Sequence, residues 1–168
     1  KQKDTRVYTL NLCEMDKSMH FNPFPYIRNK SDITKLVTNL IQNTNSPNIK
    51  NSSADPFWEK AEKMFLESLF LYVWMECPKA YFNTEKGKVE LLQQNWKSIL
   101  FLLDEAQFLD NDTPPKLDER MNELARKKPD HPAVKAYQRY RGGPDDTIRS
   151  VIMTVNARMQ PFDNEELL

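Results

Sequence analysis

The chain has 168 residues and a mass of 19.8 kDa, and its 24 Lys and Arg residues are balanced by 24 Asp and Glu residues. That length supports one domain with a real core, and the zero net charge argues against both a wholly basic nucleic-acid coat and an acidic disordered tail. Only three glycines are present, so neither a glycine-rich phosphate loop nor a dinucleotide fingerprint can be assembled. Two cysteines and two histidines are too few and too scattered for a zinc site, and we expect no cofactor and no metal.

The first part of the chain predicts one short strand followed by an irregular segment. Residues 5–12 alternate between two faces with a period of two residues, which is typical of a strand. Pro23 and Pro25 then interrupt any regular element. The chain begins without Met in a charged run, as a piece of a longer protein would, and no run of 18 apolar residues predicts a membrane span.

Helical periodicity begins at Ser31, which we expect to cap the first helix. The strongest helix begins at Asp55-Pro56, with a capping Asp and a Pro at the first helical position, and runs to Cys77. Its second half is apolar almost all round, so it is predicted to be central, with Leu66, Leu69, Phe70 and Val73 buried. Four further helices are predicted to start near Asn95, Pro114, Pro132 and Pro144. We therefore expect an all-α domain of about six or seven helices around a central hydrophobic helix, with a short N-terminal strand or stalk.

An apolar run ending in Asp104-Glu105 has the appearance of a nucleotide-hydrolysis motif. Such a strand end can hold Mg²⁺ through the Asp and activate water through the Glu. Against this interpretation, no phosphate loop accompanies the pair, and Asn95 followed by apolar residues at helical spacing predicts a helix. The pair also leads into an acidic loop with Asp110 and Asp112, which favours a solvated helix end.

Residues 116–141 contain eight Lys and Arg residues against four acids. Tyr137 and Tyr140 are interleaved with these cations, an arrangement that suits single-stranded nucleic acid through stacking and phosphate contact. The alternative is a solvated helix face whose tyrosines pack inward. If the domain binds DNA or a partner here, the candidate residues are a cationic set of six: Arg126, Lys127, Lys128, Lys135, Arg139 and Arg141.

The remaining reactive side chains predict structural roles. His20 lies in a loop and His131 at a helix start, and neither has neighbours in the sequence that indicate a catalytic triad or a metal site. Cys77 ends the central helix in an apolar setting and is predicted to be a buried thiol. No catalytic residue is therefore assigned.

Several short sequence motifs occur in the same order as in the TraG/TraD-type coupling proteins of conjugative type IV secretion systems, so the chain resembles these proteins and in particular their all-α domain. These motifs lie at residues 16–19, 22–24, 26–28, 55–62, 130–137, 148–152 and 158–162, and they include Asn-Pro-Phe and Asp-Pro-Phe-Trp. The resemblance covers nearly the whole chain.

The resemblance implies an insertion in a RecA-like motor domain, between an upstream phosphate loop and a downstream Asp-Glu strand. Residues 1–30 and 158–168 would be stalks to the motor, and residues 31–157 the all-α substrate-recognition domain. The parent would be a hexameric, membrane-anchored, DNA-translocating ATPase with this domain, itself monomeric and not an enzyme, at the cytoplasmic end. There it would bind the relaxase and relaxosome accessory proteins, with DNA as a weak and non-specific partner, and deliver the substrate to the channel.

Two function classes stay open at this point. One is a recognition module without catalysis, in which either the cationic set contacts DNA or an acidic or apolar surface selects a protein, with Asp110 and Asp112 as candidates. The other is a nucleotide-hydrolysing fragment that uses Asp104 and Glu105.

Overall fold

The computed structural model describes residues 22–44, 56–79, 92–110 and 113–162. These ranges contain no strand and six helices: α1 (Lys30–Asn43), α2 (Pro56–Glu76), α3 (Trp96–Glu105), α4 (Lys116–Lys127), α5 (Pro132–Arg141) and α6 (Asp145–Met159). Two short 3₁₀ turns, Phe24–Tyr26 and Gln160–Phe162, flank them. The all-α prediction is confirmed, whereas the strand predicted at 5–12 and the cap predicted at Asp55 lie outside the described residues.

Helix α2 is the centre of the domain. Leu66, Leu69, Phe70 and Val73 are all 0% exposed, as predicted. Helices α1, α3, α5 and α6 pack directly on α2. Helix α4 departs from the predicted arrangement around α2, because it packs chiefly on α5 and α3 and lies in an outer layer. Only one face of α4 is apolar, and its residues Leu117, Met121 and Leu124 are buried.

Side-chain caps mark where α1 and α3 begin. Asn95 accepts a hydrogen bond from the Ser98 amide at 3.0 Å, so its predicted capping role is confirmed. The prediction for α1 was wrong: Asn29 rather than Ser31 is the cap, and it accepts from the Asp32 amide at 3.1 Å. Both residues suit an N-cap by type, and the choice depends on which one lies one residue before the first helical turn.

The last helix follows the predicted pattern to its end. Its five predicted apolar residues (Ile148, Val151, Ile152, Val155 and Met159) are all buried, and the helix stops before Pro161. None of the described helices combines the length and the apolar character needed to cross a membrane. The division into a domain at 31–157 and stalks at 1–30 and 158–168 stays a prediction.

Candidate binding surface

The six residues of the cationic set lie on α4, on α5 and in the turn between them, but they do not form one surface. Arg126 and Arg141 line a groove between α4 and α5 with a volume of about 640 Å³. Lys135 and Arg139 line a different groove of about 350 Å³, which lies over α2 between α1 and α5. The sequence clusters these cations because α4 and α5 are adjacent along the chain, while the fold turns four of them toward two different grooves.

Four of the six cations form ion pairs within the domain. Lys127 Nζ lies 2.6 Å from a Glu123 oxygen, Lys128 Nζ lies 2.8 Å from Glu76, and Lys135 Nζ lies 2.7 Å from Asp130. Arg141 contacts Asp118 and Asp145, each at 2.9 Å. These partners neutralise much of the positive charge that the sequence suggested.

The two fully exposed pairs lower the pKa of their carboxylates. The hydrogen bond from Lys127 lowers the pKa of Glu123, and the bond from Lys135 lowers that of Asp130. Fully exposed pairs of this kind contribute little to stability, because water screens them and long side chains lose entropy. They can therefore exchange partners at little cost.

Arg126 and Arg139 are the exception in the set. Both are exposed, and neither has a carboxylate partner among the described residues. Each lines one of the two grooves, so the unneutralised charge of the set is divided between two places. A DNA strand following one groove would meet one of these arginines rather than a dense cluster.

The two tyrosines face inward and are not available for base stacking. Tyr137 and Tyr140 are 5% and 4% exposed, and the centres of their rings lie 5.9 Å apart. The Tyr137 hydroxyl donates to Asp118 at 2.7 Å, and the Tyr140 hydroxyl donates to the Ile148 carbonyl at 3.2 Å. Burial raises the pKa of both phenols above the ordinary range. The inward-packing alternative is thus confirmed for these rings.

Asp104 and Glu105 end a helix, as the capping argument predicted. Glu105 is not a solvated helix end, however, because its carboxylate accepts two hydrogen bonds from Arg120, at 2.5 and 2.6 Å. This bidentate contact raises the pKa of Arg120, whose guanidinium also lies 5.7 Å from the centre of the Phe101 ring. The carboxylate proposed as a water-activating base is therefore engaged with a cation. Within the described ranges, no group of three or more His, Cys, Asp and Glu side chains could hold a metal ion.

The acidic alternative surface is only partly described. Asp110 accepts from the Thr113 amide at 2.6 Å and from its hydroxyl at 3.0 Å, so its carboxylate organises the turn before α4. Asp112, the other candidate, lies outside the described residues.

His131 has a carboxylate neighbour that sequence inspection missed. Its Nδ1 accepts from the Ala133 amide at 3.2 Å and caps α5, while Nε2 lies 3.0 Å from a Glu76 oxygen without the alignment of a hydrogen bond. Glu76 also accepts hydrogen bonds from the Lys128 ammonium, so one carboxylate contacts both Lys128 and His131 in the segment between α4 and α5. Glu76 precedes His131 by 55 residues, and helical periodicity carries no signal for such a pairing.

We expect His131 to make the domain less stable in mild acid. Burial lowers its pKa in the fold, reinforced by Lys128 and Lys30 and opposed by Glu76, whereas the unfolded chain titrates near 6.5. As pH falls below about 6.5, the unfolded state binds a proton that the folded state does not. The free energy of unfolding then falls by up to about 1.4 kcal/mol per pH unit until the folded pKa is reached.

The measurement is urea unfolding at about pH 7.5 and about pH 5.5 for the wild type and His131→Asn, which can cap the helix but does not titrate. The wild type should lose more stability than the variant over this interval. Equal losses would show that His131 does not carry the effect.

Cys77 is a buried free thiol, as predicted. Burial raises its pKa to about 11, so the sulfur stays protonated near neutral pH and is a poor nucleophile. Its backbone has a structural role, since the Cys77 carbonyl accepts from the Gln94 side chain at 3.1 Å.

The family model for conjugative DNA transfer by type IV secretory systems matches residues 1–167. The chain therefore belongs to this family of conjugative DNA-transfer proteins, which confirms the TraG/TraD-type resemblance. Searches of curated proteins and of solved structures found no significant match.

Proposed function

We propose that this chain is the substrate-recognition domain of a conjugative coupling protein. It binds the relaxase or relaxosome accessory proteins and presents the relaxase–DNA substrate to the secretion channel. The observation that carries the proposal is the family match over residues 1–167, and it is supported by two surface grooves beside α5 that could receive a partner. In this proposal the domain lies on the cytoplasmic side of a membrane-anchored, hexameric parent and is monomeric when isolated.

The direct test is capture of purified partners. The tagged chain is offered the relaxase and each accessory protein of its own conjugation system, one at a time and after nuclease treatment. We expect at least one of them to be retained, with the relaxase of an unrelated system as the control. Retention of none, or equal retention of the unrelated relaxase, would contradict the proposal.

We also propose that the chain does not hydrolyse nucleotide by itself. Support comes from the scarcity of glycine, which leaves phosphates without a cradle, and from Arg120, which holds the Glu105 carboxylate. The expected result is no Mg²⁺-dependent ATP turnover by the wild type, by Glu105→Gln or by Asp104→Asn. Mg²⁺-dependent turnover by the wild type that both Glu105→Gln and Asp104→Asn abolish would establish the alternative, an enzyme using Asp104 and Glu105.

DNA binding in this proposal is weak and independent of sequence. Phosphate contacts position a protein without specifying bases, and four of the six cations already have acidic partners. Of the six cations, Arg126 and Arg139 are then expected to contribute most to the affinity for DNA. Binding should weaken steeply with salt, because contacts to phosphates release counterions.

The corresponding experiment titrates single-stranded DNA at two salt concentrations. The variant is Arg126→Ala/Arg139→Ala, and the charge-matched control is Lys35→Ala/Lys97→Ala, which removes two exposed cations from α1 and α3. We expect the arginine variant to reduce the salt slope by roughly one for each cation removed and the control to leave it unchanged. Equal affinities and slopes for both variants would remove these two arginines as DNA contacts.

A further inference from the structure

The two ends of the described chain meet on the same row of aromatic rings, an aromatic ladder formed by Phe24, Phe70, Trp96 and Phe162. Phe24, at the N-terminal end, stacks on Phe70 of α2 with ring centres 5.7 Å apart. Trp96 meets Phe70 edge to face at 5.6 Å and stacks on Phe162, at the C-terminal end, at 4.5 Å. Phe24 and Phe162 are thus joined through two rings that belong to the core.

Hydrogen bonds hold the N-terminal end of this ladder to the same region. The Asn22 amide group donates to the Gln94 carbonyl at 2.7 Å, and the Asn22 side-chain oxygen accepts from the Phe24 amide at 3.1 Å. Gln94 in turn donates from its side chain to the Trp74 carbonyl at 2.8 Å. The segment before α3 therefore joins the N-terminal turn to the end of α2.

The interior rings of the ladder cannot shift independently. Phe70 and Trp96 are 0% and 6% exposed, so each is surrounded by packed neighbours. Close-packed interiors transmit strain because displaced atoms find no free volume. Removing the Phe162 ring leaves one face of Trp96 without its partner, and Trp96 in turn contacts Phe70, on which Phe24 stacks.

We propose that the aromatic ladder couples the turn Phe24–Tyr26 to the turn Gln160–Phe162 that follows α6, so that loosening one turn loosens the other. The 3₁₀ turn Phe24–Tyr26 and the end of α6 open as one unit, at a lower free-energy cost than global unfolding. A displacement at either end is thereby carried through Trp96 and Phe70 to the opposite end. Independent local opening of the two turns is the competing description.

Hydrogen exchange at named amides tests this coupling. Tyr26 and Ile27 report on the N-terminal turn, since their amides donate to the Pro23 and Phe24 carbonyls. Gln160, whose amide donates to the Asn156 carbonyl, reports on the end of α6. The Lys128 amide, bonded to the Leu124 carbonyl at the end of α4, is the reference outside the ladder.

The variant is Phe162→Ala, with Phe162→Leu as a milder change at the same ring. We expect exchange at Tyr26, Ile27 and Gln160 to accelerate together, by about five- to thirty-fold for the alanine variant, with Lys128 unchanged. Met153→Ala, a change at a side chain of α6 that is 72% exposed, should leave all four amides unchanged.

Two results would overturn the proposal. Acceleration of exchange at Gln160 alone would mean that the turn Phe24–Tyr26 and the end of α6 open independently. Equal acceleration of all four amides would mean that the variant only lowers global stability. Met121→Ala, a change at a buried side chain of α4 outside the ladder, is the control that shows the exchange rates expected in that case.

Discussion

Replacing Arg158 by methionine is expected to lower the free energy of unfolding by about 3–5 kcal/mol, the range for breaking a buried ion pair from one side. Arg158 lies in the last turn of α6, and its guanidinium donates to Glu62 of α2 at 2.8 Å. It also donates to the Ile41 carbonyl at 3.1 Å and to the Thr44 hydroxyl at 3.0 Å, at the end of α1. One side chain therefore joins three helices.

The large effect follows from the group that Arg158 would leave behind. The Glu62 side chain is only 7% exposed, so the variant buries a carboxylate without its counter-charge. The matched control is the double change Glu62→Met/Arg158→Met, which removes both charges and retains apolar volume. In urea unfolding the double variant should recover most of the loss, and a double variant as unstable as Arg158→Met would contradict this explanation.

Truncating Leu69 or Phe70 to alanine is expected to cost about 2–5 kcal/mol each. Both side chains are 0% exposed in the central helix, so truncation removes apolar contacts and leaves a cavity that the surrounding helices fill incompletely. Phe70 additionally loses its ring contacts with Phe24 and Trp96.

Thermal unfolding followed by circular dichroism measures these effects. For a domain of this size each kcal/mol lowers the midpoint by about 2–4 °C. Met153→Ala is the surface control and should stay within about 0.5 kcal/mol of the wild type. A midpoint unmoved by both core changes would contradict the central placement of α2.

Much of the helical architecture follows from local chemistry. Asn95 begins α3 and Pro132 occupies the first turn of α5, because capping and proline geometry act within one turn of the chain. The apolar density of α2 alone indicated its central place. Asn29 was missed because a local rule cannot choose between two suitable caps that lie two residues apart.

The charges of the candidate surface were less predictable than its helices. Two of its neutralising pairs, Lys127 with Glu123 and Arg141 with Asp145, have i,i+4 spacing and could have been recognised in the sequence. Lys128 pairs with Glu76 across 52 residues. No periodicity encodes such a distant partner, so the sequence overstated the free positive charge of the region.

The most direct measurement of the central claim is calorimetric titration of the chain with its relaxase and accessory proteins, free of nucleic acid, beside a parallel titration with single-stranded DNA. We expect saturable binding to at least one of these proteins that Arg126→Ala/Arg139→Ala leaves intact, and DNA binding that is weaker and sensitive to salt. Tight DNA binding, lost in that variant and accompanied by no protein binding, would contradict the central claim.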